Sequence, residues 1–414
     1  MRKFFSLLVT LFAFSFLAYS QTTEEITSGY SFIVDSLDHL QNDTALNSFF
    51  RKLDDLQNGK RKTVTVVQIG DSHIQADFFS GVMREKLQRK FGNAGRGLIF
   101  PYRVAKTNEP KNFYTSSNVS WEAKRNVFPN IPLPIGVSGI TIRSYDSAAA
   151  ISFNIYDADS LNYAFNHLKI FHYKAPDAYD MIIADANQSN VALINSKITT
   201  PDFFTSDISL RDTMHQFQLR MLRTDSFQNQ MMIYGVELEN GDTGLLYDMI
   251  GVNGAMYSHY DSSVYFVDQL ISLHPDLIIV SLGTNDAYAK YFTESELNNN
   301  MSLFISKMRA AIPDANFLLT SPPDGYRYHK YKNVNVAKAV SVMKYYCANN
   351  NCSFWDFYHL MGGFGSIYKW YRVGLAQKDL LHLTARGYKL QADLLYNAIM
   401  NSYSNWKSQS QTPK

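Results

Sequence analysis

The sequence predicts an α/β fold that is interrupted by a second, all-β domain. Near the N-terminus and again after residue 245, apolar strand-like runs alternate with amphipathic helical segments. Between about residues 100 and 242 the helical periodicity largely disappears, and short alternating runs are separated by turn residues. Alternating strands and helices indicate a parallel sheet covered by helices on both faces, whereas the short strands indicate an antiparallel sandwich.

The α/β elements follow one another in a regular order. A strand is predicted at residues 64–69, followed by a turn at 70–73 and a helix running to about residue 91. Further helices are predicted at residues 45–56, 263–273, 294–311, 333–349 and 384–400, and further strands at 245–252, 277–282, 316–320 and 353–357. Within the insertion, strands are predicted at residues 139–143, 149–156, 167–173, 180–184, 191–194, 215–222 and 231–238. The α/β domain is therefore expected to comprise residues 21–99 and 243–414, with residues 100–242 inserted between its first and second strands.

The N-terminal 20 residues have the pattern of a secretory signal peptide. Two early cations precede an apolar stretch, and small residues stand at Ala18 and Ser20. We expect an exported protein, secreted or periplasmic, without a membrane span after the signal is cleaved. The remaining chain is long enough for two domains and, with 46% hydrophobic residues in the whole sequence, can bury a substantial core.

Charge argues against nucleic acid as a partner. Without Arg2 and Lys3 the chain has 37 basic residues against 37 acidic ones, and no basic cluster is apparent. In an exported protein, the close pair Cys347 and Cys352 favours a small disulfide loop over a metal site, for which two cysteines are too few ligands. The histidines show no metal-ligand spacing, so we expect no metal and no cofactor; those considered are His259, His274, His329 and His359.

Three strand ends of the α/β domain carry glycine and polar residues. Ser72 follows the first strand, Gly254 the second and Asn285 the third, and the carboxyl ends of neighbouring parallel strands meet at one edge of a sheet. Ser72 is the candidate nucleophile. His382 is the candidate base, and Asp379, one helical turn earlier, can hold its Nδ1–H. The Ser72 and Gly254 N–H groups and the Asn285 side-chain amide are the candidate donors to an oxyanion.

These motifs resemble those of the SGNH/GDSL hydrolases. The sequence has G-D-S at residues 70–72, a glycine after the second strand, G-x-N-D at 283–286 and D-x-x-H at 379–382. The resemblance gives Ser72, Gly254, Asn285 and His382 the four named roles of the family, with Asp379 completing the triad. It also implies a three-layer, flavodoxin-like parallel sheet.

A narrower resemblance is to exported peptidoglycan O-acetylesterases. It rests on His73, where most SGNH/GDSL members have Leu, on Asp77, on the large insertion, and on residues 374–384. In that group the insertion resembles a carbohydrate-binding module. His73 can contact substrate or pack behind the site, and the sequence leaves both alternatives open. Asp71 and Asp286 are expected to form hydrogen bonds within the loops rather than to react.

The sequence therefore predicts an exported serine esterase that removes O-acetyl groups from a carbohydrate polymer, with peptidoglycan as the first expectation. Two enzymatic alternatives remain: removal of acetyl groups from another polysaccharide, and transfer of the acetyl group to a sugar instead of water. A non-enzymatic alternative is a carbohydrate-binding protein on an SGNH scaffold. The complete set of five site residues argues against this last alternative, since binding alone requires neither Ser72 nor His382.

Overall fold

A computed structural model describes residues 22–128, 133–157, 161–197 and 205–411. The predicted signal peptide at residues 1–20 lies outside these ranges. Among the described helices, none is both long and apolar enough to cross a membrane.

A six-stranded sheet forms the centre of the α/β domain. Its strands are β1 (Leu40–Gln41), β2 (Thr63–Gly70), β14 (Gly244–Gly251), β15 (Leu277–Ser281), β16 (Asn316–Thr320) and β19 (Ser353–Trp355), in the spatial order β1-β19-β16-β15-β2-β14. All pairs are parallel except the edge pair of β1 with β19. Every residue of β2 after Thr63 is buried, as expected of a parallel strand covered on both faces.

The helices of this domain pack in two groups. They are α1 (Thr23–Thr27), α2 (Asn47–Gln57), α3 (Ser72–Gln75), α4 (Phe78–Phe91), α5 (Tyr257–Asp261), α6 (Phe266–Ile271), α7 (Thr284–Tyr288), α8 (Glu294–Ala311), α9 (Asn335–Asn349), α10 (Phe357–Leu360), α11 (Ser366–Arg372) and α12 (Ala385–Gln411). Helix α12 packs against α1, α2 and α4, while α8 packs against α5, α6 and α9. This is the three-layer arrangement that the resemblance implied.

The insertion is an antiparallel sandwich of two sheets. One sheet has the order β10-β9-β12-β7-β4 and the other β11-β8-β13-β6-β5, with β3 added beside β13. The strands are β3 (Gly97–Ile99), β4 (Phe113–Ser117), β5 (Glu122–Arg125), β6 (Ile140–Ser144), β7 (Ala150–Ile155), β8 (Phe165–His172), β9 (Asp180–Ala184), β10 (Asn190–Ile194), β11 (Thr205–Met214), β12 (Gln216–Leu222) and β13 (Met231–Glu239). The predicted fold class, an α/β domain with an inserted β sandwich, is confirmed.

The differences from prediction concern short or locally unpatterned elements. Strand β1 and a two-stranded hairpin of β17 (Tyr326–Arg327) and β18 (Tyr331–Lys332) have too few residues to show a periodicity. The segment predicted as a turn at residues 70–73 and one helix to about residue 91 forms two helices, α3 and α4. They are separated at Asp77, whose left-handed φ of 57° ends the first and begins the second.

Asp77 also joins the α/β domain to the beginning of the insertion. Its Oδ2 lies 2.5 Å from Arg84 of α4 and 3.0 Å from Arg96, which directly precedes β3, and all three side chains are almost fully buried. Arg96 in turn donates to Asn112, just before β4. Burial by itself would raise the pKa of Asp77, but the two guanidinium groups outweigh it and lower that pKa. Asp77 is thus an ionised carboxylate that neutralises part of a buried pair of cations.

We predict that Asp77→Asn lowers the free energy of unfolding by about 3–5 kcal/mol, since removal of one partner leaves buried charge without compensation. Chemical denaturation measures the change. Asp55→Asn is a matched control, because its ion pair with Lys60 is long and exposed, at 4.0 Å, and should cost less than about 0.5 kcal/mol. Equal stability of the Asp77 variant and the wild type would show that Asp77 does not hold this junction.

Candidate active site

Ser72 lies at the carboxyl end of β2, at the first position of α3. The turn is sharp because the Asp71 side chain caps the helix: its Oδ1 accepts the His73 N–H at 2.9 Å. Helix α3 crosses the neighbouring strand β14 closely. A Cβ on Gly251 would stand 2.4 Å from the backbone nitrogen of Gln75, so only glycine fits there. The strand end and the turn together hold Ser72 at the edge of the sheet.

The structure brings the three predicted triad residues together. Ser72 Oγ lies 2.9 Å from His382 Nε2, and His382 Nδ1 lies 2.7 Å from Asp379 Oδ2. Both distances are those of good hydrogen bonds. The imidazole can therefore accept the Ser72 proton at Nε2 while its Nδ1–H is held by the carboxylate.

Asp379 and His382 lie in a turn just before the last helix, which was predicted to begin at about residue 384. Helix α12 begins only at Ala385, and Leu380 has a left-handed φ of 54°. This conformation directs the N–H groups of both Leu381 and His382 to Asp379 Oδ1, each at 3.0 Å. A left-handed non-glycine residue is strained and persists where its surroundings hold it. Here the Leu380 carbonyl accepts the N–H of Tyr326 at 2.8 Å.

The electrostatics of this turn suit a general base. Burial would raise the pKa of Asp379, but the hydrogen bonds from the His382 ring and from two backbone N–H groups lower it to about 2. Burial would lower the pKa of His382, and the hydrogen bond and charge of Asp379 outweigh it, so that pKa is raised above 6.5. Asp379 therefore stays ionised and makes His382 a stronger base.

Two backbone N–H groups are available to bind an oxyanion. Ser72 is the first residue of α3, so its N–H has no acceptor within the helix. Among the described residues, none accepts a hydrogen bond from the Gly254 N–H. Gly254 has a left-handed φ of 86° and an exposed backbone, with no atom closer than 4.0 Å to the position of a Cβ. Its conformation and exposure fit the role predicted for it.

The Asn285 amide lies between the Ser72 turn and the Gly254 loop. Its Nδ2 donates to Asp71 Oδ2 at 3.0 Å and to the Ala255 carbonyl at 3.1 Å. Both amide hydrogens thus have acceptors in the resting site, and the amide is held in one orientation. Donation to an oxyanion would require it to share one of these hydrogens, so its role as the third donor stays a prediction.

Gln75 connects the same two loops and was not predicted from the sequence. Its buried side-chain Oε1 accepts the Asn253 N–H at 2.7 Å, next to Gly254. Its Nε2 donates to Thr107 and Asn108, at the beginning of the insertion, at 2.9 and 2.9–3.0 Å. Gln75 therefore positions the glycine loop. It carries no sequence signal, because a glutamine on a short helix has no characteristic spacing.

His73 packs directly behind His382. Its ring centroid lies 5.2 Å from that of His382, and its Nδ1 lies 2.8 Å from the hydroxyl of Tyr388 on α12. The side chain is buried, which lowers the pKa of His73 to about 3. It is thus a neutral ring that supports the face of His382 from the protein interior. Tyr388, which the sequence did not single out, holds it in place.

Asp71 and Asp286 form hydrogen bonds within their loops. Burial raises the pKa of Asp71 to about 6, although bonds from His73 and Thr284 counteract it. Burial likewise raises the pKa of Asp286 to about 7, although hydrogen bonds from the backbone N–H groups of Asp286 and Tyr257 counteract it. Neither carboxyl is hydrogen-bonded to Ser72 or His382. Asp71 nevertheless affects His382 without touching it, because its negative charge favours the protonated ring and so raises the pKa of His382.

Cys347 and Cys352 are free, buried thiols, which corrects the expected disulfide. Cys352 Sγ lies 3.4 Å from the Asn350 carbonyl oxygen, to which it donates, and 3.2 Å from Arg309 Nη2. These hydrogen bonds satisfy it as a thiol. In the described part of the chain, no group of three or more His, Cys, Asp or Glu residues could hold a metal ion.

Residues 234–390 match the family model of the GDSL-like Lipase/Acylhydrolase family. The match includes Gly254, Asn285, Asp379 and His382 but not Ser72, from which the insertion separates them in sequence. It confirms the resemblance to the SGNH/GDSL hydrolases and the expectation of a carboxylic ester hydrolase. No curated protein matches the chain.

The chain is also similar to several solved structures. A structure described as a peptidoglycan O-acetylesterase in action has 20% sequence identity and a TM-score of 0.74, and covers 88% of this chain and 99% of its own. A family two carbohydrate esterase from Cellvibrio japonicus has 10% identity and a TM-score of 0.29, and the match covers 71% of this chain and 99% of that one. A catalytic mutant of an acetylxylan esterase from Geobacillus stearothermophilus has 15% identity and a TM-score of 0.32, and the match covers 38% of this chain and 74% of that one. The first similarity shows that both domains share that structure's fold.

We predict an acid limb in the pH profile of kcat/KM with an apparent pKa above 6.5. Ester hydrolysis requires neutral His382, whose pKa is raised above that value, so activity is lost as the pH falls through it. Asp379→Asn removes the carboxylate that raises this pKa. Its smaller residual activity should therefore show an acid limb at lower pH. An unshifted limb in the variant would show that another group controls the profile.

We predict that Asn285→Ala lowers kcat by about 10²–10³ with KM little changed, as is typical for loss of one oxyanion donor. Steady-state kinetics on a soluble acetyl ester measures both constants. Asn253→Ala is the matched control: it removes an amide from the neighbouring glycine loop that donates to Asn108. A loss confined to KM in Asn285→Ala would show that Asn285 binds the substrate instead.

Proposed function

We propose that the protein is an exported serine esterase that removes O-acetyl groups from a carbohydrate polymer, with peptidoglycan as the preferred polymer. The observation that carries the proposal is the complete hydrogen-bonded series from Ser72 through His382 to Asp379, with distances of 2.9 and 2.7 Å. The two unpaired N–H groups beside it complete what acyl transfer requires. Export is inferred from the signal-peptide pattern of residues 1–20.

The reaction follows from this geometry in two steps. His382 Nε2 takes the proton of Ser72 Oγ as that oxygen attacks the acetyl carbonyl, and the N–H groups of Ser72 and Gly254 stabilise the negative oxygen that forms. Protonated His382 then gives its proton to the departing sugar oxygen, which leaves an acetyl group on Ser72. In the second step His382 takes a proton from water, hydroxide adds to the acetyl carbon, and acetate leaves as Ser72 regains its proton.

Three features support a carbohydrate polymer as the substrate. The structural relative that shares both domains is described as a peptidoglycan O-acetylesterase. The sequence of residues 64–81 has no long apolar stretch suited to a fatty acyl chain. The insertion begins at residues that are hydrogen-bonded to the site through Gln75, so it is placed to hold a chain while Ser72 reacts with a protruding acetyl group. Binding remote from the reacting ester promotes catalysis when it orients that ester for attack.

We predict that Ser72→Ala and His382→Ala each remove most of the acetate release, and that the double variant is little worse than either single one. The two side chains act as one unit, so their effects on kcat are not additive. Release of acetate from O-acetylated peptidoglycan is the assay, and Ser306→Ala, which alters an exposed serine of α8 outside the site, is the control. Hydrolysis by Ser72→Ala at the wild-type rate would overturn the assignment of the nucleophile.

Measurements of acetate release from other substrates separate peptidoglycan from other polysaccharides, short from long acyl groups, and hydrolysis from acetyl transfer. Equal rates on acetylated xylan and on peptidoglycan would remove the case for a cell-wall substrate. A preference for long-chain esters would exclude an acetylesterase. Appearance of the acetyl group on an added sugar, with little free acetate, would identify a transferase.

A further inference from the structure

A small hairpin lies beside the catalytic turn and has no part in the reaction described above. It consists of β17 and β18 and the turn between them, residues 326–332, with the sequence Tyr-Arg-Tyr-His-Lys-Tyr-Lys. We refer to it as the tyrosine hairpin. Its seven residues include three tyrosines, three permanent cations and no acid.

The tyrosine hairpin is hydrogen-bonded to the loop that holds the triad. The N–H of Tyr326 donates to the Leu380 carbonyl at 2.8 Å. The Nδ1 of His329 lies 3.1 Å from the Asp379 carbonyl oxygen. Asp379 is itself the residue bonded to the His382 ring, so the hairpin lies beside the predicted active site and is hydrogen-bonded to the turn that carries it.

The turn of the hairpin has an unfavourable backbone conformation. Tyr328 and His329 are consecutive residues with left-handed φ values of 52° and 57°, and the N–H of Lys330 bonds to the Arg327 carbonyl at 3.1 Å. Gly and, to a lesser degree, Asn adopt this left-handed conformation most readily. Large side chains in it are strained, and strained residues of this kind cluster at binding and active sites. The Tyr288 hydroxyl accepts the Tyr328 N–H and helps to hold the turn.

The cations of the hairpin lack ion pairs. Within the described chain, none of Arg327, Lys330 and Lys332 forms a salt bridge, and both lysines are exposed. The nearest carboxyls do not neutralise them fully. Asp379 is paired with His382. Asp324 is fully buried and accepts the N–H groups of Gly325, Gly365 and Ile367, and the charge of Lys332 lowers its pKa only in part against burial. The hairpin therefore presents positive charge at the rim of the site.

The tyrosines present exposed rings among these charges. The side chains of Tyr328 and Tyr331 are 61% and 58% exposed. The charged end of Lys330 lies 5.3 Å from the ring centroid of Tyr331, and that of Arg327 lies 5.6 Å from Tyr328. An aromatic face with an adjacent cation suits a pyranose ring, which offers an apolar C–H face and, on an acidic glycan, a nearby carboxylate.

We propose that the tyrosine hairpin is a binding site for glycan strands that carry carboxylate groups. This rests on the proposed function and extends it: the tyrosines would stack on sugar rings next to the acetylated one, and Lys330 and Lys332 would pair with carboxylates of the polymer, as peptidoglycan presents on its peptides. The hairpin would thereby favour an anionic polymer over a neutral one.

The test compares three substrates with the full-length mature protein. They are O-acetylated peptidoglycan, neutral acetylated xylan and 4-nitrophenyl acetate, which reports the triad alone. For Lys330→Gln/Lys332→Gln, the ratio of kcat/KM on peptidoglycan to that on 4-nitrophenyl acetate should fall by about three- to tenfold, the loss expected for two exposed ion pairs. The ratio for xylan should stay at the wild-type value.

Salt and a control variant complete this test. High salt should abolish the difference between wild type and variant on peptidoglycan, because the screening length falls to about 3 Å at 1 M. Lys338→Gln/Lys344→Gln removes the same charge from exposed positions of α9 and should keep the wild-type ratio. An unchanged peptidoglycan ratio in the hairpin variant would overturn the proposal. Absence of acetate release by the wild type from any substrate would instead overturn the proposed function.

A second variant tests the turn without depending on charge. Tyr328→Asn/His329→Gly installs residues that adopt the left-handed conformation with less strain, so the melting temperature should stay equal or rise. The peptidoglycan ratio should nevertheless fall, because the stacking ring is lost. A wild-type ratio in this more relaxed hairpin would show that the strained residues do not serve binding.

Discussion

The hydrogen bond between Ser72 and His382 is the interaction on which the site depends, and it joins residues 310 positions apart in the chain. In the proposed reaction neither side chain reacts without the other, so the α/β domain must hold the end of β2 against the turn that precedes α12. The fully buried strand β2 fixes the first partner. The second is fixed by a strained turn whose Leu380 and Asp379 carbonyls are each bonded to the tyrosine hairpin.

Two carboxyls, those of Asp71 and Asp379, lie near this interaction, and their pKa values differ because their burial and hydrogen bonds differ. Asp379 accepts a ring N–H and two backbone N–H groups, which keep it ionised despite partial burial. Asp71 is more deeply buried and has a pKa near 6, so its charge is held less firmly. Asp379 therefore raises the basicity of His382 directly, while Asp71 holds the Asn285 amide at the edge of the predicted oxyanion site.

The insertion is hydrogen-bonded to the loops of the predicted active site. Gln75, three residues after the nucleophile, bonds both to the Gly254 loop and to the first residues of the insertion. Two residues later Asp77 neutralises part of a pair of buried arginines, one of which leads into β3. These hydrogen bonds and ion pairs join the sandwich to the Gly254 loop and to the helices that follow Ser72.

The sequence by itself determined the fold class and the insertion, because long elements have a clear periodicity, and it predicted Ser72, Asp379 and His382 as a triad from motifs after the first strand and before the last helix. It did not show how Asp379 reaches His382, which depends on the left-handed conformation of Leu380. It also missed Gln75, Tyr388 and the tyrosine hairpin, and it suggested a disulfide where the structure has two thiols. These features depend on contacts between residues far apart in the chain, and such contacts leave no local pattern, so only the tertiary structure could decide them.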